Sequence, residues 1–170
     1  MGGFKQRPNG WFADCCLGQP DTPLTHTIGY AVRGLFEGWR YSGDQQLLDA
    51  CVLTSEALLP RISPEGYLPG RFDRDWKPAA PRACMTGSSQ IAHNFLLLYA
   101  HSRDPRYLEA ARALNRFVRR SIEVEGNPDT VGGVRGSFPI NGSYGGYRYL
   151  NWAAKFTIDA QQMEQAVLGS

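Results

Sequence analysis

The chain has 170 residues, 42% of them hydrophobic and 20% charged, with a formal net charge of +2. That is the size and balance of one domain with its own core, and the charge is too small to draw it to nucleic acid or a membrane surface. No apolar run approaches the roughly 20 residues of a membrane helix and MGGFKQRPNGW has no apolar signal region, so a cytoplasmic protein is expected.

Along the chain, NGWF (9–12) is a glycine-marked extended segment that presents Trp11. After DCCLGQP, the residues Ile28, Val32, Leu35, Phe36 and Trp39 recur at helical spacing and predict a first helix, which His26 opens. The turn SGD follows, with Asp44 placed as the N-cap of a second helix over about 45–59 that Pro60 closes. A long connection, EGYLPGRFDRDWKP (65–78), then leads to another apolar helix, in which His93 of IAHNFLLLY is expected to be a satisfied core histidine. His101 lies at its far end, before SRDP. Asp104 and Pro105 suit the N-cap and first position of a helix over about 105–121, on which Arg112, Arg116, Arg119 and Arg120 form a solvated face. GGVRGSF and NGSYGGYRYLNW precede one last helix, NWAAKFTIDAQQMEQAVL. The cysteines Cys15, Cys16, Cys51 and Cys84 match no disulfide framework or CxxC pair, so reduced thiols are expected.

Shifted by 60 residues, segment 31–58 falls over 91–118, pairing Leu35 with Phe95, Trp39 with Tyr99, Asp44 with Asp104 and Leu48 with Leu108. A period of this size marks a repeated supersecondary unit, here a helical hairpin. The chain therefore holds about two and a half hairpins in a single domain over 1–170. Long connections on one end only favour an all-α, partial α/α toroid with its loops at one mouth over a helical solenoid.

Three groups of residues carry candidate chemistry. In the 65–78 loop, Asp73 and Asp75 are the candidate catalytic acid and base, provided the loop turns between them. Arg71 suits a bidentate contact to an anion and Trp76 offers a face for a sugar ring. The alternative is a set of local ion pairs that order a long loop. In 141–152, Tyr144, Tyr147 and Trp152 supply stacking surfaces that fit a saccharide groove or a subunit interface equally well; Trp11 and His26 join the binding set. The third group is Cys16, His26 and Cys84, two thiolates and an imidazole that would leave one zinc position open if they converge. No cofactor is expected on the leading reading. GxGxxG and Walker loops are absent.

PNGWF, CLGQP with PLTHTIGYAVRGL, GYLPGRFDRDWKP, CMTGSSQIAHNFLLLY and GSFPINGSYGGYRYLNWAAKF together resemble the later part of a bacterial family assigned to the six-hairpin glycosidase-like or terpenoid-cyclase-like toroids. Its members are often found with polysaccharide biosynthesis genes and are about twice this long. The resemblance implies a C-terminal half of a toroid, a saccharide or other polar small molecule as partner, and, if an enzyme, a glycosidase-like one. It also implies a homo-oligomer, if two halves close one ring. DCCLGQP is in addition similar to the cysteine segment of lanthionine-synthetase cyclases, a zinc-bearing toroid, but the histidine that family needs after Cys84 is Met85 here. A non-catalytic oligomerising subunit with its loops as an interface, or a truncated copy with no complete active site, is the reading of a different class.

Overall fold

In a computed structural model, residues 5–16 and 18–169 are described. Five helices dominate: α1 (Thr25–Ser42), α2 (Gln45–Leu58), α3 (Met85–Ser102), α4 (Pro105–Arg120) and α5 (Asn151–Leu168). The strands β1 (Ala83–Cys84) and β2 (Ser137–Phe138) pair antiparallel, and a 3₁₀ turn, Leu59–Arg61, extends α2. α3 packs between α1 and α5, while α2 and α4 lie behind as the second arms of two hairpins. This is an all-α toroid segment, with α1, α3 and α5 as the inner layer and α2 and α4 as the outer one. The hairpins and their boundaries agree with the 60-residue period to within a residue or two.

The two helix classes begin in different ways. The outer helices carry side-chain caps: Asp44 accepts from the Gln46 amide and Asp104 from the Arg106 amide, each at 3.0 Å. The inner helices instead begin against neighbouring loops. The Thr25 amide donates to the Gly70 carbonyl (2.9 Å), Met85 to Gly136 (3.0 Å) and Leu150, just ahead of α5, to Val134 (3.1 Å). So the loops 62–84 and 121–150 are fixed to the N-terminal ends of the inner helices, which is where a site would be built.

One core cluster runs from Trp11 and Phe12 through Ile28, Phe36 and Leu58 to Phe95 and Leu114. Each fully buried side chain such as Phe72 or Phe95 contributes roughly 1.5–3 kcal/mol. A smaller cluster of Ala83, Met85, Val118, Val134 and Ala153 joins the loops to α4 and α5. Glycines at close crossings hold the inner layer tight. A Cβ on Gly87 would lie 2.7 Å from the His26 amide nitrogen, and one on Gly29 would lie 2.9 Å from Gln90. Buried polar groups then tie the layer: Asn94 donates to the Gly29 carbonyl (2.9 Å), and Ser89 and Thr157 share a 2.9 Å bond between α3 and α5.

Candidate functional site

The inner helices place equivalent residues in layers. Counted from each helix start, the second residues are His26, Thr86 and Trp152, the sixth are Tyr30, Gln90 and Phe156, and the ninth are Arg33, His93 and Asp159. Steps of four and three keep these on one face of a helix, here the face turned away from the outer helices.

The upper layers are aromatic. The His26 ring meets Tyr30 at 4.9 Å and Tyr144 at 5.3 Å, and Tyr30 meets Phe156 edge-on at 5.5 Å. The Trp152 indole donates to the Tyr144 hydroxyl (2.7 Å), which ties the 139–150 loop to α5. Trp152 is 46% exposed and Tyr30 49%, so both faces are open to a ligand. Burial lowers the His26 pKa against the opposing influence of Gln90. Gln90 lies beside that imidazole, and both His26 Nδ1 and Gln90 Oε1 are buried.

Below the aromatics is a cleft of about 300 Å³, lined in part by Tyr30, Arg33, His93, Lys155, Phe156 and Asp159. An open depression of about 500 Å³ beside Trp152 shares Tyr30, Lys155 and Phe156 with it. Arg33 Nη1 lies 2.9 Å from His93 Nδ1 and also pairs with Glu37 at 2.7 Å. Lys155 pairs with Asp159 at 2.6 Å. Burial and the Arg33 charge push the His93 pKa down to about 4. A larger groove of about 680 Å³ lies between α2 and α4, on the outer side and away from these layers.

The structure brings together His26, Tyr144 and Trp152 of the expected binding residues and disperses the others. Trp11 is 3% exposed beneath Arg7, and Trp76 is 4% exposed with its indole donating to the Asn9 carbonyl (2.8 Å). The 65–78 loop does turn between Asp73 and Asp75, but Asp73 Oδ1 accepts from the Asp75 amide (2.9 Å) and the Lys77 amide (2.8 Å). Asp75 is exposed. Arg71 donates to the Thr22 carbonyl at 2.6 Å, bracing the start of α1. Tyr147 is 75% exposed on its loop.

Among the described residues no group of three or more His, Cys, Asp or Glu is disposed to hold a metal ion, so Cys16, His26 and Cys84 do not converge as ligands. Cys84 instead caps α3, its sulfur accepting from the Gly87 amide at 3.4 Å, and burial pushes its thiol up to about 12. Burial acts the same way on Cys16, but there the amides of Gln19, Gly18 and Leu24 outweigh it and lower the pKa. All four cysteines are free thiols, and among the described residues no helix is long and apolar enough to cross a membrane.

Sequence reading missed Tyr30, Arg33, Phe156, Lys155 and Asp159, and placed His93 in the core. His93 is half-buried and lines the cleft with a charged partner. The signal was present: setting the third inner helix under the other two with a shift of 66 instead of 60 aligns Arg33, His93 and Asp159.

No protein-family model matches the sequence, and no curated protein matches it. Among solved structures the chain is similar to an unsaturated glucuronyl hydrolase from Bacillus sp. GL1, described as responsible for the degradation of glycosaminoglycan. The TM-score is 0.67 at 20% identity, over 96% of this chain and 49% of that one. It is also similar to an α-amylase from Clostridium perfringens, with a TM-score of 0.65 at 12% identity, over 94% and 46% of the two chains. A cellobiose 2-epimerase from Spirochaeta thermophila gives 0.63 at 16% identity, over 86% and 39%. The chain thus spans about half the length of these proteins or less. At such identities the likeness is one of architecture, and three different activities share it. The fold is that of a segment of an α/α toroid.

Proposed function

We propose that the chain binds a saccharide across the N-terminal ends of α1, α3 and α5, between Trp152, Tyr144, His26 and Tyr30. The observation that carries this reading is an open depression walled by Tyr30, Trp152 and Phe156 of two helices, with His26 and Tyr144 packed behind Tyr30 and Trp152. Flat apolar faces with polar edges suit a sugar ring, which has apolar C–H faces and an equator of hydroxyls. The toroid neighbours include enzymes named for glucuronyl, amylase and cellobiose chemistry, which supports the substrate class. Binding comes before any reaction in this proposal. General acid–base work by Asp73 and Asp75 would require Asp73 to release two backbone amides.

Trp152 is the most exposed of the four tryptophans, so its fluorescence reports on the depression. Titration with cellobiose and with a glucuronate-containing disaccharide is expected to change that emission. Trp152→Ala is expected to weaken binding by about tenfold, the effect of losing roughly 1.4 kcal/mol of stacking. No spectral change and no calorimetric heat with either sugar would overturn the proposal.

A second reading, a homo-oligomer, is favoured by one observation: the inner layer exposes Tyr41 (97%), Ile158 (55%) and Trp152 (46%) along helices that a full ring would enclose. Light scattering across a range of concentrations tests it, and a monomer throughout removes it.

A further inference from the structure

We infer that the cleft beneath the aromatic layer is a distinct subsite for an uncharged sugar ring, with His93 Nε2–H as its fixed hydrogen-bond donor and the Lys155–Asp159 pair supplying its acceptor. The inference rests on the saccharide reading above and adds which sugars the site takes and what orients them.

The donor follows from the Arg33 contact. A guanidinium can only donate, so His93 Nδ1, 2.9 Å from Arg33 Nη1, is the acceptor and carries no proton. The proton of a neutral imidazole then sits on Nε2. That nitrogen has no protein partner among the described residues, and His93 lines the cleft. Burial and the Arg33 charge keep the ring neutral down to about pH 4, so this tautomer holds across the physiological range.

The preference for an uncharged ligand follows from charge pairing. The charged groups facing His93 are paired: Arg33 with Glu37 on α1, which Arg40 also contacts, and Lys155 with Asp159 on α5. In the cleft lining Arg33 and Lys155 are each already held by a carboxylate, whereas hydroxyls can donate to Asp159 and accept from His93. Gly29 forms part of the α1 wall against Gln90, and Tyr30 and Phe156 close the cleft above. At about 300 Å³ the cavity sits at the small end of ligand sites, suited to one ring.

The test is imidazole nitrogen NMR on the whole chain, titrated with methyl β-glucoside and, separately, with glucuronate. His93 is expected to show a protonated Nε2 and a bare Nδ1, and the glucoside is expected to shift the Nε2 signal. His93→Asn keeps an acceptor for Arg33 but has no donor at the ε position, and should weaken glucoside binding about tenfold. His93→Gln restores a donor there and should stay within about threefold of the native chain. Thermal melts on both variants check that they fold. A protonated Nδ1, tighter binding of glucuronate than of glucoside, or an unchanged affinity in His93→Asn while Trp152→Ala weakens binding would each overturn the subsite and leave the aromatic mouth standing. Binding of neither sugar would overturn both.

Discussion

The hairpins α1–α2 and α3–α4 are two copies of one unit, and they agree and differ in separate places. Their turns are interchangeable: Gly43 and Arg103 both take positive φ (72° and 60°) with the amide returned to Trp39 and Tyr99, and Asp44 and Asp104 both cap the next helix. Their loops enter alike as well. Gly10 and Gly66 both sit at positive φ against the backbone of the outer helix, at Leu53 and Ala113, positions 60 apart. The inner faces differ at every layer, His26 against Thr86, Tyr30 against Gln90 and Arg33 against His93. Repetition has kept the positions that make a hairpin and released those that face the centre, so divergence between copies marks the chemistry.

The comparison breaks hardest at the entry glycines. Gly66→Ala is expected to cost about 4 kcal/mol, because a Cβ there would collide with the Ala113 carbonyl at a backbone angle that alanine disfavours. Gly10→Ala, with its Cβ 2.8 Å from the Leu53 oxygen, should cost about 2–3 kcal/mol. Gly132, at positive φ with nothing within 4 Å, should show only the backbone strain of about 1 kcal/mol. Urea denaturation ranks the three, and an equal cost at all of them would refute close approach as the cause.

The Arg33/His93 difference should appear in pH dependence. The pKa of His93 is near 6.5 when unfolded and about 4 when folded, so between those values the unfolded chain binds the extra proton. Stability is therefore complete above pH 6.5 and declines as the pH falls toward 4. The loss should be about 1–2 kcal/mol once solvent screening of a half-buried ring is allowed for. His93→Asn should flatten that part of the melting-temperature profile; an unchanged slope would place the titration elsewhere.

The smallest effect is at the turns. Gly43→Ala should lower stability by about 1 kcal/mol, while Arg103→Gly should raise it by about half that, since the arginine at 5.6 Å over the Tyr99 ring already offsets part of its strain. A destabilised Arg103→Gly would mean that this ring contact outweighs the strain.

The sequence made the hairpins legible because a repeat shows its own register: the same apolar spacing and the same aspartate caps recur at a fixed distance. The site was only partly legible. His26, Tyr144 and Trp152 stood out by type and do meet, but Trp11 and Trp76, equally conspicuous, are wall material because their indole rings fill the space between loop and outer helix. Asp73 looked catalytic because carboxylates in a charged loop suggest acid–base work; its actual partners are amides two and four residues on. His93 looked like core because its neighbours in the chain are apolar. A histidine on an inner helix has its fate set by the helices beside it, and that information lies 60 and 66 residues away.

The crossing of α1 and α3 at Gly29 and Gly87 fixes more than packing. With no side chain at either point, the two helices stand at their minimum separation, so the aperture of the cleft is set by what is missing there. Replacing Gly87 by a larger residue would insert a spacer against Thr25 and His26 and pry the upper end of the layer open, while one at Gly29 would push on Gln90 lower down. Two positions thus act as adjusting screws on the size of ligand admitted, one nearer each end of the layer.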